Sequence, residues 1–406
     1  MWWPIRTFFV LGVMLLGQSA WSFADGIRFF RSVRKRRNCP PGTYTPPAAV
    51  VIPCKGVDAG FDANLDCFLN QDYPDYQVVF TVATADDPAC WQIQERLEAR
   101  GGSGVISNGR ASLVVAGVTE RRGEKVNNLL RGVERVDQSA QVLVFADIDA
   151  APSPDWLRSL VAPLADSQLT VSTGFRWYLP GAGFASRLRA AWDTSVATTL
   201  GDHGHNFAWG GSMAMRASEF HKLGIAERYW ASTVSDDLAL TRAVREAGGK
   251  IVFEPRCLVA SREESSLWEF VRWSNRQTII ARVYAPFGWR LALIVSLFNC
   301  GTLTLGLVVL AMPGATAYQR LAVAAILLGV VLLGTAKGYI RTLVTRELFG
   351  ADISHASCYW RFAPLLAWIT LGNLVAAGFT RRIEWCGTEY ELVSRDKVRV
   401  TRRTSG

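Results

Sequence analysis

The chain has 406 residues, 50% of them hydrophobic and 19% charged, with a formal net charge of +9. An average soluble chain carries about 25% charged residues, and the deficit here is concentrated in long apolar runs that exclude a wholly soluble protein and a disordered one. At about 150 residues per soluble domain the length allows two or three units. The eight cysteines are scattered without a CxxC pair. This argues against a zinc ribbon or a disulfide framework and for reduced thiols packed as small apolar groups.

Residues 2–24 are mostly apolar, and the basic cluster Arg28, Arg31, Arg34, Lys35, Arg36 and Arg37 follows them. A secretory signal would place its basic residues first. This order predicts a transmembrane anchor over residues 1–27 with its C-terminal side in the cytosol. It also makes anionic lipid, rather than nucleic acid, the partner of the cluster. Residues 28–47, with Pro40, Pro41, Pro46 and Pro47, read as a basic, Pro-rich linker.

From residue 48 the pattern becomes strand–helix alternation. Segments 48–53, 77–83, 111–117 and 141–146 read as buried strands, 169–173 and 250–254 as further ones, with helices near 61–70, 88–100 and 123–136. Unbroken Val/Leu/Phe runs between helices indicate a mostly parallel sheet covered on both faces. Residues 48–260 are therefore expected to form a Rossmann-like α/β domain. Residues 261–290 hold an amphipathic stretch expected to lie along the membrane. Trp268, Val271, Ile279 and Tyr284 would face the interface, and Arg272, Arg276 and Arg282 supply cations.

Residues 291–380 carry three uncharged runs, at 291–312, 321–336 and 362–379. A span needs about 20 apolar residues, so two or three transmembrane helices are expected, the third run being marginal. The tail, 381–406, carries seven Lys and Arg residues. Three crossings would place it opposite the α/β domain, whereas its charge would keep it in the cytosol. Either one segment is re-entrant or interfacial, or the charge rule fails.

Asp147 and Asp149 form a DxD directly after the strand at 141–146. Open α/β sheets bind ligands at the carboxyl ends of their strands. Two acids at i, i+2 there can reach a divalent cation and a nucleotide diphosphate, where the cation neutralises a departing diphosphate. A solvated turn before Pro152 is the plain alternative. Asp86-Asp87 suit a nucleobase or ribose contact, or the N-cap of a helix beginning at Pro88. Ser235-Asp236-Asp237 open the helix DDLALTRAVREAG; two acids exceed what capping needs, and one is available as a general base. Lys125-Val126-Asn127-Asn128 offer a cation and amides near phosphate, or an ordinary surface lysine. His203, His205 and His221 lack a clear ligand spacing and read as structural.

In this order the pieces resemble ceramide glucosyltransferases and their bacterial relatives, membrane-bound enzymes of the GT-A fold. The resemblance rests on Pro53-Cys54-Lys55-Gly56-Val57-Asp58, on QDYPDY at 71–76 with Asp86-Asp87-Pro88-Ala89, on Lys125-Val126-Asn127-Asn128-Leu129, on WGGSMAMR at 209–216 and on the closing IEWCGTEYELV. It implies an α/β GT-A catalytic domain with N-terminal and C-terminal transmembrane helices. It implies nucleotide-sugar binding by Pro53, Lys55, Asp87, Lys125 and Asp147, and Mg²⁺ or Mn²⁺ on Asp147 and Asp149. Asp237 becomes the base and Arg276 a catalytic cation, while Trp209, Gly210, Gly211, Asp236 and Gln277 meet the acceptor.

Two positions depart from the family pattern. Asp-Ser-Gly is replaced by Asp147-Ile148-Asp149, which adds a carboxylate. The Arg-Trp of the (Q/R)xxRW signature, counted from Asp237, falls on Arg276-Gln277; Arg272-Trp273, one helical turn earlier, is the other placement. The implied reaction is inverting transfer of a hexose from a UDP-sugar, UDP-glucose above all, to a lipid hydroxyl such as ceramide. It would occur at the cytosolic face of an integral, multi-pass membrane protein, with no nucleic-acid partner. A polyprenyl-phosphate or other lipid acceptor, a polysaccharide synthase and a non-catalytic lipid or nucleotide-sugar binding protein are the rival readings.

Overall fold

The computed structural model describes residues 3–58, 60–100, 105–106, 109–350 and 353–403. In chain order the helices are α1 (Trp3–Arg37), α2 (Phe61–Leu69), α3 (Pro88–Glu98), α4 (Glu124–Val133), α5 (Trp156–Val161), α6 (Phe184–Ala197), α7 (Ala217–Lys222), α8 (Asp236–Glu246), α9 (Leu267–Tyr284), α10 (Pro286–Ala311), α11 (Ala317–Phe349), α12 (Cys358–Arg361) and α13 (Ala363–Phe379). The chain divides into two compact units. One gathers Met1–Arg34, Tyr178–Thr198 and Arg262–Thr380; the other gathers Lys35–Trp177, Thr199–Ser261 and Arg381–Gly406.

The second unit is built on an eight-stranded sheet. Its strands are β1 (Ala48–Pro53), β2 (Tyr76–Val82), β3 (Val105–Ile106), β4 (Gly109–Val115), β5 (Val142–Ala146), β6 (Leu169–Tyr178), β7 (Ser212–Arg216) and β8 (Lys250–Ser261), in the order β3-β4-β2-β1-β5-β7-β6-β8. Strands β4, β2, β1 and β5 run parallel, while β7 is antiparallel to β5 and to β6. Alternate residues enter two cores. Val50, Ile52, Phe80 and Val144 pack with Trp156 on one face, and Ala49, Val51, Val79 and Phe145 pack with Leu129 on the other. Burial on both faces is why these strands read as unbroken apolar runs. Helix α4 lies so close to the sheet that a Cβ on Gly132 would stand 2.3 Å from Val51 Cγ1.

Strand β7 escapes the sequence pattern. Its residues SMAMR follow two glycines and carry no β-branched side chain, so nothing in them signals a strand. Pairing with β5 on one side and β6 on the other creates it.

The expected basic tail is a folded sheet. Strands β9 (Arg382–Trp385), β10 (Thr388–Ser394) and β11 (Lys397–Arg403) form an antiparallel meander belonging to the same unit as β1–β8. The first hairpin turns on Cys386 (φ 46°) and Gly387 (φ 73°), the two left-handed residues that a tight two-residue turn requires. Ile383, Tyr390, Leu392 and Val398 are buried, while Glu389 and Arg399 are exposed. The basic residues are thus the outer face of a half-buried sheet.

In the first unit α1, α10 and α11 are long and apolar enough to cross a membrane, and α13 is a shorter apolar helix of 17 residues. Ile5 and Phe8 of α1 pack with Val309 and Val323 of α10 and α11. Glycines allow close approach: a Cβ on Gly306 would lie 2.6 Å from the Phe8 ring. The expected interfacial face of α9 is corrected. Trp268 is 66% exposed, but Ile279 and Tyr284 are buried. Apolar residues recur on more than one side of α9, and it packs against α6, α10 and α13.

Candidate active site

Four segments of the sheet unit meet at the carboxyl end of β5. Asp147 and Asp149 follow that strand directly, Lys125 lies in the first turn of α4, Asp236 and Asp237 open α8, and the loop 209–211 precedes β7. Lys125 Nζ joins them, at 2.7 Å from Asp147 Oδ1 and 3.3 Å from Asp236 Oδ2. The glycines of the loop are there because nothing larger fits. A Cβ on Gly210 would lie 2.1 Å from Asp236 Oδ2 and 2.9 Å from Lys125 Nζ, and one on Gly211 would lie 2.8 Å from Asp147 Oδ2.

A further cation reaches the cluster from β6. Arg176 donates to Asp149 from Nη1 at 2.8 Å and from Nη2 at 2.5 Å, and Nη2 also reaches Asp147 Oδ2 at 3.3 Å. Its guanidinium lies 5.4 Å from the centre of the Trp209 ring. Sequence reasoning missed Arg176. The available signal was a lone charge inside the strand LTVSTGFRWY, where an unpaired guanidinium would be costly.

Burial decides the protonation of the cluster. It works against the charge on Lys125, but Asp147, Asp236 and Asp237 more than offset this and raise its pKa. Burial also opposes the charge on Asp147, yet Lys125 and Arg176 hold its carboxyl below the usual range. Asp236 goes the other way: burial pushes it up to about 7 against the pull of Lys125, with Asp237 and Asp147 reinforcing the rise.

The two adjacent acids therefore differ. Asp236 is 2% exposed. Asp237 is partly exposed. Its Oδ1 accepts from Ser235 Oγ at 2.6 Å and from the Leu238 N–H at 2.7 Å, and its Oδ2 accepts from the Gly210 N–H at 3.4 Å. Ser235 also caps α8, so neither acid is needed for that.

Among the described residues no group of three or more His, Cys, Asp or Glu forms a ready metal cage. Asp147 and Asp149 share one guanidinium nitrogen, so a single ion is within reach of both. Two carboxylates beside substrate phosphates are the usual protein contribution to a Mg²⁺ site. Four acids face Lys125 and Arg176 across the cluster. Asp147 and Asp149 are thus the residues that would hold a divalent cation, beside the positive charge Arg176 already places there.

Lys55, just after β1, makes an ion pair with Glu124 of α4 at 2.8 Å. Asp87 caps α3 by accepting from the Ala89 N–H at 2.9 Å, and the same oxygen accepts from the Gly56 N–H at 2.8 Å. It thereby fixes the loop that follows Pro53 and Lys55. Arg276 and Gln277 lie on α9, in the other unit. There Trp273 packs edge-to-face on Trp192 at 5.3 Å and beneath the Arg189 guanidinium at 4.6 Å. His203 and His205 lie in an exposed turn outside the cluster.

A mostly parallel α/β sheet carries paired acids after a central strand, in a chain that also has long apolar helices. The chain belongs to glycosyl transferase family 21, which it matches over residues 14–398. Solved structures similar to it include the mannosyltransferase from Pyrobaculum calidifontis in complex with GDP-Man and Mn²⁺. That protein is 16% identical over 91% of this chain and 98% of its own, with a TM-score of 0.46. Another is the glucosyl-3-phosphoglycerate synthase from Mycobacterium tuberculosis in complex with Mn²⁺ and UDP-glucose. It is 16% identical over 62% of this chain and 82% of its own, with a TM-score of 0.38.

Two outcomes follow from the packing and the charges. Gly210→Ala forces its methyl into Asp236 and Lys125, a core overpacking that costs about 1–3 kcal/mol; denaturation of the purified protein, followed by tryptophan fluorescence, should show that loss. A carboxyl whose pKa rises on folding loses stabilising effect as pH climbs from its unfolded value to its folded one. For Asp236 that window runs from 3.8 to about 7. The melting temperature of Asp236→Asn should therefore gain on wild type across this window and level off above it. A difference that stays flat with pH would contradict the assignment.

Proposed function

We propose that the protein is an inverting glycosyltransferase that moves a hexose from a UDP-sugar to a lipid hydroxyl at the cytosolic face of a membrane. One observation carries the reading: Lys125 binds Asp147 and Asp236 together, leaving Asp237 as the accessible acid beside them. Family membership supplies the reaction class.

Asp237 takes the proton of the attacking hydroxyl. Serine and backbone donors hold its carboxylate at the N-terminus of α8. The loop fixed by Asp87, with Lys55, receives the nucleotide, and Lys125 adds positive charge near the diphosphate. Mg²⁺ or Mn²⁺, held by Asp147 and Asp149, would neutralise negative charge on the departing diphosphate. Arg176, paired with those carboxylates, would add positive charge for the phosphates. Trp209, in the loop before β7, is assigned to the acceptor. Direct displacement needs no covalent sugar intermediate.

Residues 35–177, 199–261 and 381–403 build one unit, so they share one side of the bilayer. The chain between them must cross an even number of times. Helices α10 and α11 make two crossings. Helix α13, at 17 residues about 26 Å long by the α-helical rise, falls short of the roughly 30 Å hydrocarbon core and stays on the near side as a re-entrant or interfacial helix. Both basic clusters, 28–37 and 381–403, then lie on the cytosolic side.

The purified protein with UDP-glucose, Mn²⁺ and ceramide should release UDP only when the lipid is present. Asp237→Asn should lower the rate by about 10²–10⁴-fold, the usual contribution of a positioned base; a mutant as active as wild type removes Asp237 from this role. Release with polyprenyl phosphate alone would change the acceptor class, and nucleotide-sugar binding without turnover would remove the catalytic reading. Labelling of sealed vesicles with an impermeant maleimide tests the topology. The exposed native thiols Cys39 and Cys386 should react from one face together with Ser354→Cys, and Gly314→Cys from the other. Reaction of Ser354→Cys from the Gly314 side would mean that α11 does not cross.

A further inference from the structure

Helix α4 begins without a side-chain cap. Its N-cap is Gly123, which has no side chain to receive the first amides, and an uncapped helix leaves four N–H groups without intrahelical partners. Glycine is required at that point. A Cβ there would lie 2.9 Å from Val234 Cα, and the Gly123 N–H donates to the Thr233 carbonyl at 2.8 Å. The starts of α4 and α8 thus abut, and between them they carry Lys125, Asp236 and Asp237.

The missing cap comes from the end of the chain. The Glu124 N–H, the first of α4, donates to the hydroxyl oxygen of Tyr390 on β10 at 3.2 Å. Tyr390 is 3% exposed. The same small sheet grips its surroundings three more times. Arg403 donates to the Thr119 carbonyl in the loop leading to α4. The Val398 N–H donates to Ser232 Oγ at 3.3 Å, in the loop leading to α8. Asp396 pairs with Arg242 on α8 itself. All four contacts fall on the two segments that deliver the lysine and the acids, and the side chain of the capped Glu124 holds Lys55.

We infer that the inner face of the sheet β9–β11 braces the candidate site and that Tyr390 is a positioning residue for Lys125, setting the start of α4 against that of α8. The inference rests on the function proposed above only for its consequence, which is the geometry offered to a nucleoside diphosphate. The anchoring itself is independent of substrate.

Amide hydrogen exchange on the full chain in detergent tests it, comparing wild type, Tyr390→Phe and Arg399→Gln. The phenylalanine keeps the buried ring and removes only the acceptor oxygen. Arg399 lies on the outer face of the same sheet, paired with Glu391, and serves as control. In Tyr390→Phe, exchange should quicken about fivefold to tenfold, the worth of one hydrogen bond, in peptides covering 119–128 and 232–238. Peptides from β1 and β2 should not change, and UDP with Mn²⁺, measured by calorimetry, should bind several-fold more weakly. The control should match wild type throughout.

Exchange within twofold of wild type in both segments overturns the inference. So does a uniform rise over the whole unit with a lowered melting temperature, which would make Tyr390 a general packing residue. If wild type binds neither UDP nor GDP, the nucleotide-sugar reading fails, while the exchange comparison still decides the role of Tyr390.

Discussion

The site depends on one half-buried ammonium. Lys125 lies between Asp147 and Asp236, and without it two acids from different elements would face each other in a desolvated space. Like charges so placed repel, and each would be driven toward its neutral form. With it, β5, α4 and α8 converge on a single point. The two glycines of the loop before β7 close over that point because only hydrogen leaves room for the charged atoms. Arg176 completes the balance from β6. The sheet supplies rigidity, but the charge pairing sets which ends of which elements meet.

That pairing also divides the work between adjacent residues. Asp236 and Asp237 differ by one step along a helix start, yet one is sealed beneath Gly210 and the other stays partly open. The sealed acid keeps Lys125 in place; the open one is held by Ser235 and the helix amides. A doubled acid at a helix start is thus more than a cap when each member has its own partner.

Much of this was legible in the sequence. The parallel strands announced themselves as apolar runs because both of their faces are buried. Asp147, Asp149 and Asp237 stood out by following a strand or opening a helix. What stayed hidden was whatever depends on distant pairing. Strand β7 has no intrinsic strand signal and exists because β5 and β6 flank it. Arg176 is one charge in a strand whose partners lie 27 and 29 residues away. The face of α9 was misjudged because helical periodicity shows which residues are apolar but not whether lipid or protein covers them. The closing segment read as a tail because its arginines outnumber its core residues, although Ile383, Tyr390, Leu392 and Val398 alternate as a half-buried strand pair should.

The cap on α4 also has a consequence for how the protein is made. Glu124 and Tyr390 are 266 residues apart. At ordinary synthesis rates of 5–20 residues per second, that separation is roughly 13 to 53 s of translation. On the topology proposed above, α10 and α11 enter the bilayer in that interval and bring β9–β11 back to the side of the large sheet. Insertion therefore shortens a closure that a free chain would have to find by diffusion through a very long loop. A chain that stops after α13 keeps its helices and its large sheet but leaves the first amide of α4 without its partner. The start of α4 then lacks its hold on the last sheet, so the candidate site waits on the synthesis of β9–β11.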